Sequence, residues 1–150
     1  MDNELRTFTI AEANQMLQPL TQLVRALQEK QRHALDSEVQ IDALELVADQ
    51  KNKKAIEEVN RLVKTHHDRV TEFYALIDQI HQRGCLLKDV DTGLIDFYSV
   101  IDGKVVYLCW RLGEEEIGYW HEVGKGYAFR HPLNVSPNDV HDSETEDRES

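Results

Sequence analysis

Apolar residues in the first half of the chain recur at steps of three and four. Ile10, Ala13, Leu17, Leu20, Val24 and Leu27 form one continuous stripe, the mark of an amphipathic helix. Thr9-Ile10-Ala11-Glu12 supplies its start as a capping box, in which the Thr9 hydroxyl and the Glu12 carboxylate each satisfy the other residue's amide. Pro19 falls inside the stripe and removes a backbone donor there. The helix is expected to fade near Leu35, where Asp36-Ser37-Glu38 begins, and Ile41 to Ala48 reads as a short helical piece of its own. Asp49 to Lys54 is polar on every face and reads as a loop or a solvated stretch of helix. From Ala55 the period resumes through Val59, Leu62, His66, Val70, Phe73, Ile77 and Ile80, and Gly84 stands where a helix would stop. This second helix is predicted to run about 28 residues, or about 42 Å.

After Gly84 the period changes from 3.6 to 2. Leu94–Ile101, the pair Asp102-Gly103, and Lys104–Leu112 spell a β-hairpin, because Asp-Gly suits a two-residue type I′ turn. That turn sets the register. Ile101 faces Lys104, Ser99 faces Val106, Phe97 faces Leu108 and Ile95 faces Trp110 on a mostly apolar side, the predicted core face. The other side carries Val100 with Val105, Tyr98 with Tyr107, Asp96 with Cys109, and Leu94 with Arg111. Gly118 to Val123 is expected to add a third strand. The fold class is therefore α+β: a long antiparallel helical hairpin followed by a small antiparallel β-sheet. Residues 1–135 are read as one domain, with the hairpin over 8–84 and the β unit over 85–135. Two helices facing each other leave surplus apolar residues (Met16, Leu23, Tyr74, Leu76). These must pack on the β unit or on a second copy, and the expected outcome is a homodimer that completes a four-helix bundle.

Composition narrows the function classes. The chain has 150 residues, 41% hydrophobic and 30% charged, and a net charge of -11. That charge opposes binding to nucleic acid and to anionic membranes. No apolar run is long enough to cross a bilayer, and Met1-Asp2-Asn3-Glu4 is not the start of a signal peptide. The expected setting is cytoplasmic. Part of the charge is local: Ser136 to Ser150 holds Asp139, Asp142, Glu144, Glu146, Asp147 and Glu149 against Arg148, and reads as a disordered acidic tail. Cys85 and Cys109 are far apart, in no metal-type spacing, and read as small buried residues.

The face of the hairpin that carries Asp96 is where chemistry would gather. An acid inside a strand is disfavoured, and Arg111 lies diagonal to it. Glu114, Glu115, Glu116, Tyr119-Trp120-His121-Glu122 and Arg130-His131 follow within a short stretch. The structural expectation is an Asp96–Arg111 ion pair with His121 hydrogen-bonded beside it. A ligand site would use Asp96, Arg111, Trp120, His121 and Arg130, with Trp110, Trp120, Tyr98 and Tyr107 as walls and the two arginines holding an anionic group. A metal site would use Asp96, Glu114 and His121, which suit a divalent metal such as zinc, manganese or iron. A thiolate pair of Cys109 with His121 is the weaker catalytic option. On the second helix, His66 falls on the apolar stripe and is expected to find a neighbour such as Gln31.

Phe8-Thr9-Ile10-Ala11-Glu12-Ala13-Asn14, Leu87-Lys88-Asp89, Gly93-Leu94-Ile95-Asp96-Phe97, Leu108-Cys109-Trp110-Arg111-Leu112-Gly113-Glu114, Tyr119-Trp120-His121 and Arg130-His131-Pro132-Leu133 resemble the motifs of the bacterial family known as domain of unknown function 2203. The resemblance spans Phe8 to Leu133. It implies a helical region joined to a β unit and a bacterial cytoplasmic protein, and it brings no activity with it. Phe129 stands where that family usually has glycine and His131 where it often has a second arginine, which argues against an anion-binding role for this loop. The leading functional reading is a non-enzymatic, homo-oligomeric interaction or scaffold protein. The alternative is a small-ligand- or metal-binding enzyme with its site on the polar face of the sheet.

Overall fold

The structure, a computed structural model, describes residues 6–47, 49 and 51–140. Helix α1 spans Ile10–Val47 and helix α2 spans Lys53–Gln82. Five strands follow: β1 Leu86–Asp89, β2 Leu94–Ile101, β3 Lys104–Arg111, β4 Tyr119–Glu122 and β5 His131–Pro132. They form one antiparallel sheet in chain order. The α+β architecture is the expected one, and β1 and β5 were not foreseen.

Helix α1 does not fade at Leu35. It runs unbroken for 38 residues, about 57 Å, and absorbs the segment read as a separate short helix. Asp36-Ser37-Glu38 is polar, but neither Gly nor Pro occurs between Leu20 and Val47, so nothing there opposes helical backbone. Gln31, Ala34, Ser37, Ile41 and Leu44 extend the inward stripe in steps of three and four. The capping box forms at its start: Thr9 N donates to Glu12 Oε1 at 2.9 Å and Glu12 N donates to Thr9 Oγ1 at 3.0 Å. Asn52 caps α2, accepting from Lys54 N at 3.0 Å and Ala55 N at 3.3 Å, so this helix begins two residues before Ala55.

The β2–β3 hairpin has the register fixed by its turn, from Ile101 opposite Lys104 to Leu94 opposite Arg111. Asp102 (φ +52°) and Gly103 (φ +81°) supply the two left-handed residues that a type I′ turn requires. Gly93, at φ +68°, closes the β1–β2 turn where a Cβ would come within 2.6 Å of Leu112 Cβ.

The core sits between one sheet face and the proximal ends of the helices. Ile95, Phe97, Leu108, Trp110 and Trp120 pack with Leu17, Leu20, Val24 and Leu27 of α1 and Ile80 of α2. Polar ties fix the helix on the sheet: Ile117 N donates to Asn14 Oδ1 at 2.7 Å, Phe8 N to Tyr98 O at 2.7 Å, and Gln28 Nε2 to Val90 O at 2.9 Å. Past Leu27 no residue of α1 belongs to this core. The rest of the two helices extends as an arm in which only Ser37 is fully buried. The acidic segment divides. Pro137–Asp139 forms a turn of 3-10 helix with Pro137 buried, and Val140 packs against the core, while residues 141–150 lie outside the described residues.

Candidate functional site

Successive residues on a strand point to opposite faces, and β2, β3 and β4 use this to bring three chemically distinct groups together. Asp96 on β2 is paired with Cys109 on β3. His121 on β4 is paired with Tyr107, one same-face position along β3 from Cys109. All three lie on the face away from the helical core, and all three are buried. Their ligating atoms lie within 4.8 Å of one another. This face, read from the sequence as the polar one, is covered on both flanks. Tyr98 and Tyr107 cover one flank, their hydroxyls 3.0 Å apart, and Lys88 lies 4.6 Å from the centre of the Tyr107 ring. Arg130 covers the other, its guanidinium between Tyr119 (3.9 Å) and Tyr127 (4.2 Å).

Hydrogen bonding defines the state of His121. Its Nδ1 is 3.0 Å from the Glu122 carbonyl, which can only accept, so Nδ1 carries a proton. Its Nε2 is 3.1 Å from Asp96 Oδ2. Burial opposes charge on the ring, but the bonds to Asp96, Cys109 and the Glu122 carbonyl, with the Asp96 charge, outweigh it and push the pKa up from 6.5 to about 10. In the absence of a metal ion this favours the protonated ring, in which both nitrogens donate. Lys88 Nζ stands 3.9 Å from the same Asp96 oxygen. The other carboxylate oxygen, Asp96 Oδ1, is buried with no hydrogen-bond partner.

The remaining expected site residues separate. Arg111 does not pair with Asp96; it is exposed and reaches the Tyr127 hydroxyl at 3.5 Å, beside a cleft lined by Asp89, Thr92 and Leu94. The carboxylate takes the shorter link across the sheet to His121 instead. Glu114 does not join the proposed metal set. Its carboxylate accepts from Arg130 at 2.6 Å and from the Arg111 amide at 2.9 Å, which closes the turn after β3. Arg130 is thereby committed to Glu114 and to two aromatic faces, although its Nη1 still approaches Cys109 Sγ at 3.9 Å. Trp120 points into the core, where Nε1 donates to Val135 O at 2.8 Å and the ring lies on His131. Trp110 is also in the core, so the tryptophans and tyrosines do not wall a common cleft. His66 meets Ser37, not Gln31: Nδ1 and Oγ are 2.7 Å apart inside the arm.

Lys88 was missed as a site residue, and Cys109 was considered only as a thiolate partner of His121, outside the ligand and metal sets. The hairpin register already set Cys109 opposite Asp96. Lys88 stood within the Leu87-Lys88-Asp89 motif, but nothing placed it at this site, because β1 is four residues long and half-exposed.

Residues carrying this site and its supports occur inside one family signature. A family model described as "Uncharacterized conserved protein (DUF2203)" matches residues 6–133. No curated protein and no solved structure matches the chain. The match takes in both helices, the five strands and the Asp96–Cys109–His121 cluster, and the chain belongs to the DUF2203 family.

Proposed function

We propose that this protein is a homo-oligomeric interaction protein, in which the sheet and proximal helices form a rigid head and the distal helices form a self-association arm. The observation that carries this reading is an uncovered apolar face along the arm. Leu35, Val39 and Leu46 are exposed on α1, and Ile56, Val63 and Tyr74 on α2. At 100° per residue the three α1 positions fall within about 40° of one another, and the three α2 positions within about 20°. Leu35 and Tyr74 line the same groove, together with Ala34, His66, Val70 and Phe73. The two strips therefore run along one side of the arm. Val39 at 67% exposure and Leu46 at 86% gain nothing from the chain's own fold.

Charge supports a second copy as the occupant. From Leu35 to Val47, α1 carries Asp36, Glu38, Asp42 and Glu45 and no basic residue. The first half of α2 carries Lys53, Lys54, Arg61 and Lys64 against Glu57 and Glu58, a net positive balance. A two-fold arrangement that lays α1 of one copy over α2 of the other buries both strips and sets opposite charges across the seam. The resulting four-helix layer supplies the cover that a two-helix arm lacks. A cytoplasmic setting, bacterial as the family resemblance implies, goes with this reading. Cys85 and Cys109 are both unpaired thiols, as a reducing compartment maintains, and no helix among the described residues is long and apolar enough to cross a membrane.

Light scattering on the full chain across a concentration series tests the proposal. A mass twice that of one chain is expected. A stable monomer at high micromolar concentration would remove its support.

A further inference from the structure

Three features of the Asp96–Cys109–His121 cluster fit a ligand smaller than any organic molecule. First, the donor set is mixed, one oxygen, one sulfur and one nitrogen, which matches a borderline cation better than a hard one. Second, His121 is oriented from behind: its Nδ1–H donates to the Glu122 carbonyl at 3.0 Å, which turns Nε2 into the cluster. A second bond of this kind is how metal-ligating histidines are held. Third, Asp96 Oδ1 is buried without a partner, although Asp96 is only 2% exposed and unpaired buried carboxylate oxygens are costly.

The nitrogen and oxygen already stand at the spacing of a coordination shell. In a tetrahedral zinc site the nitrogen and oxygen ligands lie about 3.3 Å apart and sulfur lies about 3.6 Å from nitrogen. The Nε2 to Oδ2 distance is 3.1 Å, and no pair of ligating atoms exceeds 4.8 Å. The arrangement does not fit a Cys–His–Asp catalytic triad. A triad uses one imidazole nitrogen for the nucleophile and the other for the acid. Here Nδ1 is spent on a backbone carbonyl, and Nε2 is the nitrogen turned toward Asp96.

We propose that Asp96, Cys109 and His121 bind one Zn²⁺ ion per chain through the carboxylate, Sγ and Nε2, leaving a fourth position for water or a small anion. Binding replaces the proton on His121 Nε2 and the thiol proton of Cys109 by one divalent cation, so the net charge of the pocket does not change. Lys88, 3.9 Å from Asp96 Oδ2, and Arg130, 3.9 Å from Cys109 Sγ, flank the ion. Both approach ligands that keep negative charge. This site is independent of the self-association arm, which lies at the other end of the helices.

The test uses the full chain without an affinity tag, stripped with a chelator and then given Zn²⁺ or Co²⁺. Elemental analysis after buffer exchange is expected to find one zinc per chain in the wild type. Cys109→Ser and His121→Gln are each expected to weaken zinc binding at least about tenfold, while Glu116→Gln, exposed and outside the cluster, keeps full stoichiometry. Co²⁺ added to the wild-type protein needs no variant. It is expected to give the strong visible bands of a tetrahedral ion and a sulfur-to-cobalt charge-transfer band. Zinc well below one per chain, equal retention by Cys109→Ser, or bound cobalt without the sulfur band would each overturn the assignment.

Discussion

Asp96→Asn keeps the shape of the Asp96 side chain and removes its charge. In the metal-free protein this leaves His121, 1% exposed, without the carboxylate that accepts from its Nε2. Raising an imidazole from 6.5 to about 10 corresponds to about 5 kcal/mol between its charged and neutral forms. Cys109 and the Glu122 carbonyl supply part of that rise, so the share lost with Asp96 is smaller. Breaking a buried ion pair by removing one partner costs about 3–5 kcal/mol, and a loss near 3 kcal/mol is expected for Asp96→Asn. The pH dependence has a definite sign. Because the folded pKa lies above the unfolded one, the stabilisation is complete below pH 6.5, shrinks as pH rises, and is gone above about 10. Urea unfolding followed by circular dichroism, with chelator present, should show a wide wild-type-to-variant gap just below pH 6.5 and a narrow one near pH 10. A gap of constant width across that window would refute a charged His121.

Three further substitutions probe the frame around the site. Gly93→Ala forces a side chain into a left-handed turn against Leu112 and Val24; a loss of about 2 kcal/mol or more is expected in thermal unfolding, and an unchanged midpoint would contradict the packing described. Thr9→Ala removes the acceptor for Glu12 N and should cost about 1 kcal/mol by urea unfolding. Val39→Asp combined with Val63→Asp places charge on both arm strips, and should yield a monomer by light scattering with helical circular dichroism retained. A double variant that remains dimeric would move the interface elsewhere.

The elements with strong local chemistry were legible in the sequence. Thr9 and Glu12 fixed one helix start, and Asp102-Gly103 fixed both the turn and every pairing of β2 with β3. Gly84 stood where α2 gives way to the sheet. The failures came where composition was set against context. Asp36-Ser37-Glu38 was read as a helix end because it is polar. Ser37 instead turns inward, bonded to the Ala34 carbonyl at 2.9 Å and set beside His66. β5 is two residues long, too short to show any period.

At the site, Asp96 stood out as an acid inside a strand and His121 as a hydrogen-bonding or ligand group beside it, and the structure brings the two together. The diagonal Asp96–Arg111 pair was drawn from reach alone. It failed because the fold supplied nearer partners from β4 and β1, whose register no turn residue encoded. Glu114 was assigned by chemistry, whereas the turn after β3 uses it as an acceptor for Arg111 N and a mate for Arg130.

The central claim is that one side of the distal arm meets a second copy of the chain. Isotope-filtered NMR on an equal mixture of labelled and unlabelled protein reports contacts between copies and nothing else. Methyl signals of Val39, Leu46, Ile56 and Val63 are predicted to show intermolecular contacts. A spectrum with none from these methyls, or with contacts confined to the sheet, would contradict the account.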